Sequence, residues 1–105
     1  MAIDSSTPRA SEGDIRELYR ILLTLQSEED CAAFFEDLCT VKEVQQMSQR
    51  VKAARLLMEG KTYNQVTAET DISSATLSRV SRCVQYGRGY RKVLGSLTPQ
   101  KAEGK

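Results

Sequence analysis

The chain has 105 residues, of which 40% are hydrophobic and 28% charged, and its formal net charge at pH 7 is +1. It contains no histidine and its three cysteines are irregularly spaced, which excludes the usual metal-site and disulfide patterns. No apolar run approaches the length of a membrane span, and the N-terminus lacks the apolar core of a secretory signal, so a protein of the reducing cytoplasm with no membrane partner is predicted.

The periodicity of apolar residues predicts an all-α fold. Residues 1–11 and 95–105 are polar and aperiodic and are predicted to be flexible tails, with a single helical domain at residues 12–94. In that domain apolar residues recur every three or four positions, which indicates five helices and a short sixth. The first helix is predicted over residues 12–25. Its apolar stripe consists of Ile15, Leu18, Tyr19 and Leu22.

Capping residues mark the next two helices. Ser27 precedes three acidic residues, so a second helix is predicted over residues 28–39, with Cys31 as a small core residue on its apolar stripe. A T-x-x-E capping box at Thr40 begins a long central helix, and Gly60 is predicted to end it. The central helix is therefore the longest element expected.

A helix-turn-helix is predicted over residues 62 to about 86. A T-x-x-Q capping box at Thr62 starts a short helix, Asp71 is the predicted turn residue, and Ser73 is the expected cap of the second helix. The side chains expected to hold the two helices together are Val66, Ile72, Leu77 and Val80.

Charge and side-chain size indicate what this motif contacts. Residues 1–45 carry a net charge of −6 and residues 46–105 a net charge of +7. The second helix of the motif combines small, hydroxylated and basic residues, which suits the major groove of double-stranded DNA. The candidate DNA-binding residues are Thr62, Ser73, Ser74, Ala75, Thr76, Ser78, Arg79 and Arg82.

A family resemblance rests on the same segment. VTAETDISSATLSR, residues 66–79, resembles the helix-turn-helix consensus of bacterial repressors, and its ATLSR is similar to the recognition-helix start of the Trp repressor superfamily. LYRILL and YGRGYRKVLG most resemble the YerC/YecD-type relatives. The resemblance implies an intertwined helical homodimer, with a shared core from the first two helices. Such a dimer is expected to be a transcriptional regulator, most simply a repressor, that reads a palindrome-like operator.

The resemblance also implies a small-molecule corepressor site, although no other cofactor is predicted. Two family arginines that sandwich an indole ring fall on Arg50 and Arg79. A glycine and a serine of the family correspond to Val80 and Cys83, whose bulk argues against L-tryptophan itself. The site could take a different effector or none. In the second case Arg50 would be solvated or lie in the dimer interface, and Arg79 would contact a DNA phosphate. The candidate effector-binding residues are Thr40, Arg50, Thr76, Arg79, Val80 and Cys83.

Other functions are less favoured. No nucleophile with a base, paired carboxylates or phosphate-binding glycine loop is visible, so no catalytic residue and no enzyme activity are predicted. The alternative is a helical protein-interaction module without specific DNA binding, in which the basic half is only solvated. Thr67, Thr70 and Asp71 depart from the helix-turn-helix consensus and predict a less stable, more mobile reading head.

Overall fold

The computed structural model describes residues 11–97, and the regular structure in that range is entirely helical. The all-α prediction is therefore confirmed. The parts of the predicted tails at residues 1–10 and 98–105 lie outside the described residues. The helices are α1 Glu12–Leu22, α2 Glu28–Leu38, α3 Val41–Met58, α4 Tyr63–Glu69, α5 Ser74–Tyr86 and α6 Gly89–Leu97.

Two helix ends differ from the sequence prediction by more than one residue. The first helix is predicted to reach residue 25, but α1 ends at Leu22, because the Thr24 hydroxyl and amide both donate to the Ile21 carbonyl, at 2.7 and 3.0 Å. The C-terminal tail is predicted to begin at residue 95, whereas α6 continues through Leu97. Burial of Leu94 in the core keeps this last helix in place.

The chain divides into two compact units between Cys39 and Thr40. The first unit contains α1 and α2, whose N-terminal caps are Ser11 and Ser27, and the structure describes both helices completely. No residue of either helix is buried, and Cys31 is exposed, so its predicted core position is not found in the single chain. The large apolar side chains that α1 leaves exposed are Ile15, Leu18, Tyr19 and Ile21.

The second unit contains α3 to α6 around one small hydrophobic core. Its buried apolar residues are Ala53, Ala54, Leu56, Val66, Leu77, Val80, Val84 and Leu94. Of the predicted contacts inside the helix-turn-helix, Val66, Leu77 and Val80 are at most 1% exposed and Ile72 packs against them half-buried. This part of the predicted core is confirmed.

Local hydrogen bonds set the sharp turn between α3 and α4. Gly60 has φ of +95°, and the amides of Gly60 and Lys61 donate to the carbonyls of Leu57 and Leu56, both at 3.0 Å. Only glycine adopts this left-handed conformation without a steric cost, so the helix ends here. The predicted capping boxes at Thr40 and Thr62 are both present, and only two residues separate Gly60 from the start of α4.

Candidate nucleic-acid interface

The turn between α4 and α5 is closed by hydroxyl groups. Helix α4 ends at Thr70, whose backbone is extended and whose hydroxyl donates to the Val66 carbonyl at 2.9 Å. Ser73 caps α5 by accepting from the Thr76 amide at 3.1 Å, and its own hydroxyl donates to the Thr76 hydroxyl at 3.0 Å. The cap predicted at Ser73 is therefore confirmed, and the unusual Thr70 is satisfied by the carbonyl one turn earlier.

A long-range hydrogen bond attaches this turn to α3. The Asp71 amide donates to Oε1 of Gln49 at 2.9 Å, across 22 positions of sequence. Because α3 also supplies buried Ala53 and Ala54 to the core beneath α5, the start of α5 is held both by packing and by this polar contact. The recognition-type helix thus has a defined position within the second unit.

Helix α5 has one buried and one exposed face. Leu77, Val80 and Val84 point into the core, whereas the exposed positions carry no large apolar side chain before Tyr86. Within residues 11–97 neither Arg79 nor Arg82 forms an ion pair or a side-chain hydrogen bond. The guanidinium groups are therefore uncompensated and accessible, beside short side chains that let the helix backbone approach another molecule.

The structure brings the eight predicted DNA-binding residues onto one motif. Thr62 lies at the start of α4, and the others lie at the cap and in the first turns of α5. All are exposed except Thr76, which is half-buried and whose hydroxyl already accepts from Ser73. Thr76 is thus the least available of the predicted contacts.

The predicted effector residues are only partly brought together. Arg50 and Thr76 line an open groove of about 740 Å³ beside α3 and the turn. Val80 instead belongs to the hydrophobic core, and Thr40, Arg79 and Cys83 do not line this groove. The groove also contains polar residues that the sequence analysis did not single out, although their spacing on α3 was a signal: Gln45, Gln46 and Gln49.

A second hollow, of about 470 Å³, opens on another side of α5. Of its polar lining, only Thr62 is among the predicted site residues. We call it the α4–α6 hollow, and its polar lining residues are Lys61, Thr62, Tyr63, Ser81, Gln85 and Arg91. No sequence motif predicts this hollow, because its residues come from three separate parts of the chain.

Residues 11–97 contain no cluster of three or more histidine, cysteine or carboxylate side chains arranged to hold a metal ion. None of the helices in that range is long and apolar enough to cross a membrane.

These features define an all-α protein with a helix-turn-helix whose second helix exposes a basic face. The Trp repressor protein family model matches residues 14–98, and the chain belongs to this family. Proteins of the family are regulatory DNA-binding proteins and not enzymes, which agrees with the sequence analysis.

The relatives give the same assignment. Over 74 residues the chain is 46% identical to the protein YerC of Bacillus subtilis (strain 168), covering 70% of this chain and 71% of YerC. The crystal structure of a candidate Trp repressor from Staphylococcus aureus superposes with a TM-score of 0.79 at 40% identity, over 83% of this chain and 88% of that one. A TrpR-like protein from Eubacterium eligens ATCC 27750 gives a TM-score of 0.77 at 37% identity, over 81% and 89%. The resemblance seen in the sequence is confirmed.

Proposed function

We propose that this chain is a sequence-specific DNA-binding transcriptional regulator. It forms a homodimer that binds a palindrome-like operator and acts as a repressor. The observation that carries the proposal is the exposed N-terminal face of α5. It presents Ser74, Ala75 and Ser78 next to two arginines that are not paired within residues 11–97. A basic helix with short side chains fits the major groove, where arginine binds guanine edges or phosphates.

The apolar surface of the first unit supports the proposal of a dimer. Burial of apolar area is the main source of stability, and large exposed apolar patches mark surfaces that contact another molecule. Helices α1 and α2 are in this situation, and α3 adds exposed Val41, Val44 and Val51. We propose that a second copy covers these surfaces, so that residues 12–94 become one folded domain only in the dimer. A two-fold dimer presents two α5 helices about one duplex turn, roughly 34 Å, apart.

The groove beside Arg50 and Thr76 is the place where we propose that an effector acts. Its lining is rich in glutamine and includes Lys42, so it suits a polar small molecule better than the flat apolar ring of L-tryptophan. Since it touches the turn residues Asp71 and Ser73, a ligand there changes the position of α5. The regulator acts on chromosomal DNA, so we propose that it resides in the bacterial cytoplasm.

The test is a selection of genomic fragments by the purified full-length protein, followed by titration of the recovered fragments at several salt concentrations. We expect an enriched palindrome-like site, affinity that falls steeply with salt, and loss of about 1–3 kcal/mol in binding to that site for Arg79→Ala. Arg16→Ala on α1, which removes the same charge far from the motif in sequence, serves as the control and should bind normally.

The same experiment tests the interaction-module alternative. No enriched fragment, together with weak binding that Arg79→Ala and Arg16→Ala affect equally, would contradict DNA regulation. The exposed apolar side chains of α1 would then be assigned to a protein partner of a different kind.

A further inference from the structure

The α4–α6 hollow contains a buried hydroxyl without a partner. Ser81, on α5, is 7% exposed and is the one buried polar residue that the structure describes in the second unit. Within residues 11–97 its hydroxyl makes no hydrogen bond, whereas other hydroxyls, such as those of Thr70 and Ser96, donate to nearby helix carbonyls. Leaving a buried hydroxyl unpaired destabilises the folded chain, so such a group calls for an explanation.

The charges around Ser81 are positive. Lys61 and Arg91 line the hollow, and no carboxylate side chain of residues 11–97 does. Nε of Arg91 donates to the Val84 carbonyl at 2.6 Å, which fixes the guanidinium at the rim. Its terminal N–H groups make no hydrogen bond or ion pair within the described part of the chain, and neither does the Lys61 ammonium. Two cationic residues and a serine whose hydroxyl has no partner within residues 11–97 therefore line one concavity.

We propose that the α4–α6 hollow is a phosphate-binding site. In it the Ser81 hydroxyl donates to a phosphate oxygen, and Lys61 and Arg91 neutralise the charge of the group. The Tyr63 and Gln85 side chains are further donors at the same hollow. The hollow, of about 470 Å³, has room for a phosphate group carried by a larger molecule.

Phosphate chemistry has two sources here. One is the backbone of the DNA duplex, since Thr62 at the edge of the hollow is also a proposed DNA contact. In that case the inference rests on the proposed function and extends the protein surface that holds the duplex. The other source is a small phosphorylated molecule that binds the free protein and acts independently of the groove beside Arg50.

The first arm of the test uses inorganic phosphate and the full-length protein at constant ionic strength, with chloride as the reference anion, followed by NMR of the backbone amides. We expect saturable shifts at residues 61–63 and 81–85, with affinity about tenfold lower for Ser81→Ala and for Lys61→Gln. Lys92→Gln, which removes an exposed charge from α6 outside the hollow, is the matched control.

Ser81→Ala separates a binding role from a structural one. A hydroxyl that matters only for the fold lowers the melting temperature when it is removed. Removal of an unpaired buried hydroxyl that serves only to bind a ligand does not destabilise the free protein. Ser81→Ala should therefore leave the melting temperature of the free protein unchanged or raise it, while its affinity for phosphate falls. Lys61→Gln is at an exposed position and tests the site without touching the core.

The second arm measures binding of an unrelated DNA duplex against salt. If DNA is the source, Lys61→Gln lowers affinity for every sequence and reduces the salt slope by about one, more than Lys92→Gln does. If only the phosphate arm responds, the ligand is a small phosphorylated molecule. If the wild-type protein binds phosphate but no DNA, the proposed function is contradicted and the phosphate site is still supported. Hollow variants and Lys92→Gln that behave alike in both arms would overturn the site.

Discussion

Gln49 on α3 accepts a hydrogen bond from the backbone N–H of Asp71 in the turn before α5, with 2.9 Å between Oε1 and the amide nitrogen. Gln49 belongs to α3, which packs beneath α5 in the second unit. Asp71 belongs to the turn that leads into α5. The contact therefore couples the position of α3 to the direction of α5. The same glutamine lines the groove proposed for the effector, so a ligand there competes with or reinforces this bond.

We expect Gln49→Ala to make the turn between α4 and α5 more mobile. The Asp71 amide loses its partner, which should destabilise the turn by about 0.5–1.5 kcal/mol, raise its hydrogen-exchange rate and weaken operator binding more than non-specific binding. Gln45→Ala, which changes the same groove without breaking a side-chain hydrogen bond, is the control. Equal effects of the two substitutions would show that the bond has no part in positioning α5.

Gly60→Ala should destabilise the protein by about 1–2 kcal/mol in chemical denaturation, because a residue with a Cβ must adopt φ of +95° to end α3. Nothing lies within 4 Å of the added Cβ, so the cost is one of backbone conformation alone. Gly95→Ala in α6 also meets open space but in helical conformation, and it should be neutral or stabilising. The opposite order of stabilities would contradict the role given to Gly60.

Gly87→Ala should be more disruptive, for a different reason. An added Cβ would stand 2.7 Å from the Cys83 carbonyl oxygen, which is backbone and cannot move aside without disturbing the end of α5. We expect a lower melting temperature and faster hydrogen exchange across α6, since α5 and α6 are joined at this residue. Gly89→Ala, two positions later with no atom within 4 Å, should leave both measurements unchanged.

Amides in α4 and the turn that follows it, residues 62–73, should exchange faster than those in residues 41–59. Helix α4 has seven residues and buries only Val66, whereas α3 has 18 residues and contributes three buried residues to the core. Native-state hydrogen exchange followed by NMR checks this directly. Equal protection in the two segments would mean that Thr67, Thr70 and Asp71 do not weaken the motif.

Leu18→Asp should abolish the dimer, because it places a charge in the middle of the apolar stripe that we propose a second copy covers. Sedimentation velocity should show a monomer or an unfolded chain at concentrations where the wild type is a dimer. Arg16→Asp, at an exposed position off the stripe of the same helix, introduces the same side chain and should still dimerise. Dimers in both variants would remove α1 from the interface.

The sequence predicts the parts of this structure that depend on neighbours along the chain. The caps at Thr40, Thr62 and Ser73 are found as predicted, because each is closed by a residue three positions away. The apolar contacts inside the helix-turn-helix are likewise set by helical spacing.

What the sequence could not predict depends on how helices are rotated and placed against one another. Val80 was a candidate effector contact from its alignment with a family glycine, but the rotation of α5 turns it into the core. The partner of Gln49 lies 22 positions away, and the residues that line the hollow around Ser81 come from four helices and a turn. Such contacts appear only when α3, α5 and α6 are packed together.

The hydroxyl caps at Ser11, Ser27, Thr40, Thr62 and Ser73 each bond to an amide three residues later. Contacts this close in sequence form within about a microsecond and without help from the rest of the molecule. The helices of a newly made chain therefore begin to form on their own, while in the proposed homodimer the apolar stripe of α1 is covered only after a second chain is met. If the proposed homodimer forms, the concentration of the protein, more than the complexity of its fold, sets how quickly the dimer accumulates.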